Sequence, residues 1–100
     1  MRDVNNLLKR LRGIQRQVAK HMILEIDQSR FKEKTFKVDD LVSMFYTDRS
    51  TISFTFDKLV ISEIVRCQKK ERGIYLFKRS NWQSFDEVAK IFKAEGEDND

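Results

Sequence analysis

Apolar residues recur at steps of three and four through the first quarter of the chain: Val4, Leu7, Leu8, Leu11, Ile14, Val18, Met22 and Ile26. That spacing is one stripe of an amphipathic helix, predicted from about Asp3 to Gln28. Gly13 interrupts it at a cost of about 1 kcal/mol relative to Ala, so the stretch is either one long helix with a weak point or a short helix docked on a second. Lys34 to Val38 alternates polar and apolar side chains, as a short strand does. Asp39 then offers the short carboxylate of an N-cap, and Leu41, Val42, Met44 and Phe45 give the two-turn helix after it a buried side. Thr47-Asp48 marks another start, with Ile52, Phe56, Leu59 and Val60 as the apolar stripe of a helix ending at Val60 or Ile61.

Beyond that point the period changes from 3.6 to 2. Ile64 to Lys69 and Ile74 to Arg79 are β-favouring runs joined by Lys70-Glu71-Arg72-Gly73, whose Gly suits a positive φ in a hairpin turn. Ser84-x-x-Glu87 reads as a capping box, and Trp82, Phe85, Val88, Ile91 and Phe92 mark a C-terminal helix with an apolar face. The predicted order is helix, strand, helix, helix, strand, strand, helix.

One hundred residues with 40% apolar side chains, no Pro and three Gly describe one small, helix-rich domain rather than a disordered or fibrous chain. We place that domain at 1–93 and an acidic, disordered tail at 94–100. The net charge of +4 hides an asymmetry. Residues 1–85 carry 18 basic and 10 acidic side chains, an excess of eight, whereas 86–100 carry two basic and six acidic. A body this basic attracts a polyanion, with nucleic acid the first candidate, although the same excess also serves solubility alone.

The chemistry of most enzymes is missing from the sequence. His21 and Cys67 stand alone, so no zinc ligand set can be assembled, and no Gly-rich phosphate loop is present. Asp39 and Asp40 suit capping and the helix dipole better than acid–base work. The expectation is a protein that is not an enzyme, with no metal, no cofactor and no evident small-molecule ligand. No apolar run approaches the roughly 20 residues of a membrane helix. One cysteine and no signal-like N-terminus point to a reducing, cytoplasmic setting, nucleoid-associated in a bacterium or archaeon.

Helix, strand, helix, tight turn, helix and basic hairpin, from about Val18 to Arg79, resembles the winged helix-turn-helix superfamily. Thr47 to Leu59, with its capping residue, Arg-Ser-Thr, buried aliphatic and Lys-Leu ending, is similar to the recognition helix of bacterial and archaeal winged-helix regulators. The resemblance implies an α+β, mainly α fold with an extended N-terminal helix and an added C-terminal helix. It further implies a recognition helix over about 48–60 in the DNA major groove and a wing over about 64–79 on the backbone or minor groove. Two positions depart from the pattern: Tyr46-Thr47 in the turn and Glu63 after the recognition helix, where relatives often carry Gly.

On that reading the sequence-specific DNA contacts fall to Arg49, Ser50, Thr51, Ser53, Phe54 and Lys58 on the helix and to Arg66, Lys69, Lys70 and Arg72 on the hairpin. Lys78 and Arg79 add charge after the tip. Each has a plainer alternative. Thr51 suits a cap interaction, edge strands carry Lys to prevent pairing, and Phe54 needs cover from thymine methyls, from a partner protein, or from a rotated helix that buries it. Asp57 is expected at the groove's margin or paired with Lys58 or Arg49. The terminal helices suggest a homodimer through Val4, Leu7, Leu8, Leu11, Trp82, Phe85, Val88 and Phe92, suited to a palindromic operator; the alternative is that both fold back on their own domain. Besides a transcriptional regulator on double-stranded DNA, a protein–protein interaction module and an RNA binder use the same surface.

Overall fold

A single glycine decides the N-terminal architecture. In the computed structural model, which describes residues 4–96, Gly13 sits at φ 57° and ψ −127°, a conformation that side chains disfavour, and the stripe therefore splits into α1 (Val4–Arg10) and α2 (Ile14–Gln28). Leu11, in the connection, is still buried, so the stripe stays continuous in packing although the helix is not.

Helix α2 forms the centre of the molecule. Val18, Ala19, Met22, Ile23 and Ile26 are fully buried, and each of the larger ones contributes roughly 1.5–3 kcal/mol on leaving water. Around it lie β1 (Glu33–Lys37), α3 (Val38–Phe45), α4 (Arg49–Ile61), β2 (Val65–Glu71), β3 (Ile74–Arg79) and α5 (Trp82–Ala94). The strands make one antiparallel sheet in the order β1-β3-β2, with Phe36 opposite Tyr75 and Cys67 opposite Phe77. A bulge between Lys69 and Glu71 brings the hairpin to its turn at Arg72-Gly73.

Several expected caps and faces lie elsewhere. Helix α3 has no side-chain cap: it continues directly from β1, and the Val38 N–H donates to the Gly73 carbonyl at 2.9 Å. Asp39 is thus a first-turn residue rather than the N-cap. Helix α5 is capped by Asn81, whose side chain accepts from the Ser84 N–H at 3.0 Å, while Ser84 is itself buried. The Ser84-x-x-Glu87 capping box does not form, because Asn81 accepts that N–H one turn earlier. Met44 and Val60, expected inside, face outward because α2 and the sheet meet only the sides of α3 and α4 that carry Leu41, Ile52, Phe56 and Leu59.

Tyr46 and Glu63 adopt left-handed conformations, φ 53° and 68°, at the two positions where Gly is usual. Both turns thus take the backbone conformation that favours glycine with a side chain in place.

The terminal helices close on their own chain. Val4, Leu7, Leu11, Phe85, Val88 and Phe92 are buried inside the one molecule, Leu8 is half-buried, and Trp82 is exposed. Six of the eight residues assigned to a dimer surface are therefore part of this chain's own core. Ala94 still belongs to α5, and Glu95 forms ion pairs with Arg16 and Lys20, so the ordered domain runs beyond the expected boundary at 93. The rest of the expected tail, 97–100, lies outside the described residues.

Candidate nucleic-acid interface

The solvent face of α4 follows from its core face. Ile52, Phe56 and Leu59 are buried together with Thr55, whose hydroxyl donates to the Thr51 carbonyl at 2.9 Å, so Arg49, Ser50, Ser53, Phe54, Asp57 and Ile61 turn outward. Asp48 caps the helix by accepting from the Thr51 N–H at 2.7 Å, and that bond holds its carboxyl below the usual range. The cap role foreseen for Thr51 is thus filled by its backbone. Phe54 is 56% exposed, which removes the rotated-helix alternative, and Ile61 extends the same outward ridge.

The two cations of α4 have different partners. Arg49, at the first position, pairs with Asp39 of α3, not with Asp57. Lys58, near the other end, donates to the Arg10 carbonyl at 3.0 Å and to Gln15 Oε1 at 2.6 Å. It closes the C-terminus of α1 and ties down the break at Gly13, so it does not join the exposed set.

The hairpin is held against α4 by ring contacts. Phe56 meets Phe77 and Tyr75 edge to face, at 4.8 and 5.6 Å between centroids. Strand β2 is an edge strand: Val65 is buried and every residue from Arg66 to Glu71 is exposed. Because Phe77 points inward, its partner Cys67 and, two residues on, Lys69 share the side toward α4, whereas Arg66 and Lys78 take the outer side. Although Cys67 is exposed, partial desolvation of its sulfur by the neighbouring atoms, and secondarily the charge of Asp57, pushes the thiol pKa up.

Arg66, Lys69, Lys70 and Arg72 are all exposed. The later cations are committed elsewhere: Lys78 lies 3.5 Å from Glu33, and Arg79 stacks over Trp82 at 4.1 Å with Asp86 beside it. At the tip, Arg72 and Gly73 approach the start of α4, and Arg49 Nη2 stands 3.7 Å from where a Cβ on Gly73 would be. Lys37, Asp39, Arg49, Arg72 and Ile74 line an open cleft of about 470 Å³ there. The sequence marks Asp39 only as a capping residue and does not single out Lys37, since their nearness to Arg49 arises from the corner between α3 and α4 and has no periodic signature.

Away from this face, His21 is half-buried against Phe36 and Phe45, and burial lowers its pKa, leaving it neutral near pH 7. Among the described residues, no cluster of three or more His, Cys, Asp or Glu could hold a metal ion, and no helix is long and apolar enough to cross a membrane.

No family model and no curated protein matches the chain. Solved structures do. The reduced form of HlyU from Vibrio cholerae matches with a TM-score of 0.63 at 12% identity, over 94% of this chain and 90% of that one. The fold is a winged helix-turn-helix. A possible transcriptional regulator from Methanosarcina mazei matches at 0.56 and 20% identity, over 92% of this chain and 78% of its own. AbsC, a MarR family transcriptional regulator from Streptomyces coelicolor, matches at 0.54 and 16%, over 91% and 67%. At these identities the likeness is one of fold. In the terms of that fold α3 and α4 form the helix-turn-helix, and the β2–β3 hairpin is the wing.

Proposed function

We propose that the protein is a transcriptional regulator that binds double-stranded DNA, with α4 entering the major groove and the wing following the phosphate backbone. The observation that carries this reading is the continuity of one exposed surface. Lys69, on the side of the edge strand toward α4, and Lys70 lead to the Arg72-Gly73 turn, which shares an open cleft with Arg49, the first residue of a helix exposing Ser50, Ser53 and Phe54, while Arg66 lies on the outer side of the strand. Cations on a narrow ribbon suit phosphates, while Arg, Ser and an exposed aromatic on a helix suit base edges and thymine methyls. One structural relative, from Streptomyces coelicolor, is described as a transcriptional regulator and another, from Methanosarcina mazei, as a possible one, which supports the same reading. It is a binding function and asks for no catalytic group.

The proposed regulator works as a homodimer on a two-fold operator. With six of the expected interface residues spent in the core, pairing falls to the outer sides of α1 and α5, where Leu8 and Ile91 remain half-buried. Sedimentation of Leu8→Asp and Ile91→Asp is expected to give monomers; a dimer persisting in both would place the contact elsewhere.

A second reading has its own observation. Phe54 and Ile61, 56% and 67% exposed on one ridge of α4, suit a protein partner. Selection from a random duplex pool at two salt concentrations separates the two. An enriched motif whose affinity falls steeply with salt is expected for the regulator, with duplex RNA as a poor competitor. Salt-insensitive behaviour without an enriched motif would favour the protein partner.

A further inference from the structure

Three elements meet at the first residue of the recognition helix. Asp39, in the opening turn of α3, pairs with Arg49 at Nη1; Gly73, in the wing turn, lies where a Cβ would meet Nη2 at 3.7 Å; and the Val38 N–H bonds to the Gly73 carbonyl at 2.9 Å, tying the wing turn to the start of α3. Lys37 stands opposite Ile74 in the sheet register and closes the same corner.

Asp39 is out of place if its purpose is stability or charge. Both partners of its pair are more than half exposed, and ion pairs of that kind add little to folding. A carboxylate among Lys37, Arg49 and Arg72 also opposes the approach of a polyanion. What the pair does fix is direction. A guanidinium paired at one terminal nitrogen beside a turn is biased toward one direction before DNA arrives, which reduces the ordering cost of a geometrically demanding contact. Nη1 retains a second hydrogen and Nη2 has two, enough for a two-pronged contact with guanine O6 and N7.

We propose that Asp39 is a positioning residue that aims Arg49 at a guanine edge, so that Arg49 reads sequence and does not act as one more phosphate contact. The proposal rests on the DNA-binding reading above. Its test compares Asp39→Ala, Asp39→Asn and Arg49→Ala, each checked for fold by circular dichroism, on the selected duplex and its single-base variants. Asp39→Ala is expected to lose about tenfold of discrimination at one base pair, the base pair that Arg49→Ala also affects. Asp39→Asn, which keeps an acceptor oxygen without the charge, retains that discrimination. In the Arg49→Ala background neither change has a further effect on it.

If Asp39→Ala and Asp39→Asn instead raise affinity for every duplex equally and leave discrimination intact, Asp39 is only a local charge and the proposal fails. A discrimination loss by Asp39→Ala that persists without Arg49 overturns it as well. A wild-type chain that selects no duplex would defeat the DNA reading itself, a distinct result, and the proposal would fall with it.

Discussion

The two cations of α4 look alike in sequence and meet opposite fates. Arg49 stands at the end of the helix that faces the wing, exposed and aimed by a carboxylate. Lys58 stands where the helix reaches the α1–α2 junction, and its ammonium is taken by the Arg10 carbonyl and the Gln15 amide. Exposure and charge are therefore poor guides to a binding surface until the neighbours are known. One end of α4 leaves its cation on the surface, and the other uses its cation to hold the molecule together.

The largest effect is expected at the wing, which extends the outward-facing end. Replacing Lys69, Lys70 and Arg72 with Ala should weaken binding to all duplexes on the order of hundredfold near 0.15 M salt and flatten the salt slope by up to about 2.7, if each meets a phosphate. The preferred sequence should stay the same. An unchanged slope in a fluorescence titration would move the phosphate contacts off the wing and break the comparison at its exposed end.

Next comes the direct contrast within α4. Arg49→Ala should cost about 1–3 kcal/mol of discrimination at one base pair and leave the melting temperature nearly unchanged. Lys58→Ala should do the reverse, keeping discrimination and losing about 1 kcal/mol of stability as two acceptors lose a charged donor. Paired melts and binding curves decide it: loss of discrimination in Lys58→Ala would return that lysine to the reading set.

The same contrast explains what the sequence made legible. Periodicity exposed the element order, the two-residue rhythm of the wing and the core side of α4, because burial repeats with the geometry of helix and strand. The cations that reach the surface of β2 were visible too, since six consecutive polar or small residues on an edge strand have nowhere else to go. Pairings across turns were not. Asp39 reaches Arg49, Lys58 reaches Arg10, and Asn81 displaces Ser84 as a cap, all through corners that leave no repeating signal. Nor did the stripes of the terminal helices say whether they cover their own core or a partner's, because both outcomes demand the same apolar spacing.

Asp27 extends the inward-facing class. Its carboxylate, only 11% exposed, lies 2.6 Å from Lys93 of α5 and 3.5 Å from Lys32, tying α2 to the C-terminal helix. Burial alone would raise its pKa, but hydrogen bonds and charge from Lys93 and Lys32 outweigh it and hold the carboxyl below its ordinary 3.8. A group depressed in the folded state stabilises above its unfolded pKa and loses that contribution as pH falls through the folded one. Asp27→Asn should therefore lower stability by about 1 kcal/mol at pH 7 and narrow the gap to wild type below pH 4. A gap that is the same at pH 7 and pH 3 in denaturant titrations would mean that the ion pairs contribute nothing.

The smallest effect concerns the turn that delivers Arg49. Tyr46 holds φ 53° with its ring 95% exposed, so it bears left-handed strain without packing in return. An L-residue in that conformation costs roughly 1–2 kcal/mol, and glycine gives back about 0.5–1 of that through the freedom it adds to the unfolded chain. Tyr46→Gly should therefore stabilise the domain by about 0.5–1 kcal/mol, roughly 3–6 °C in Tm. Since the Tyr46 N–H still reaches the Val42 carbonyl, the start of α4 should not move and discrimination at the Arg49 base pair should be unchanged. A stabilised variant that has lost discrimination would show that the turn, and not Asp39, sets the direction of the recognition helix.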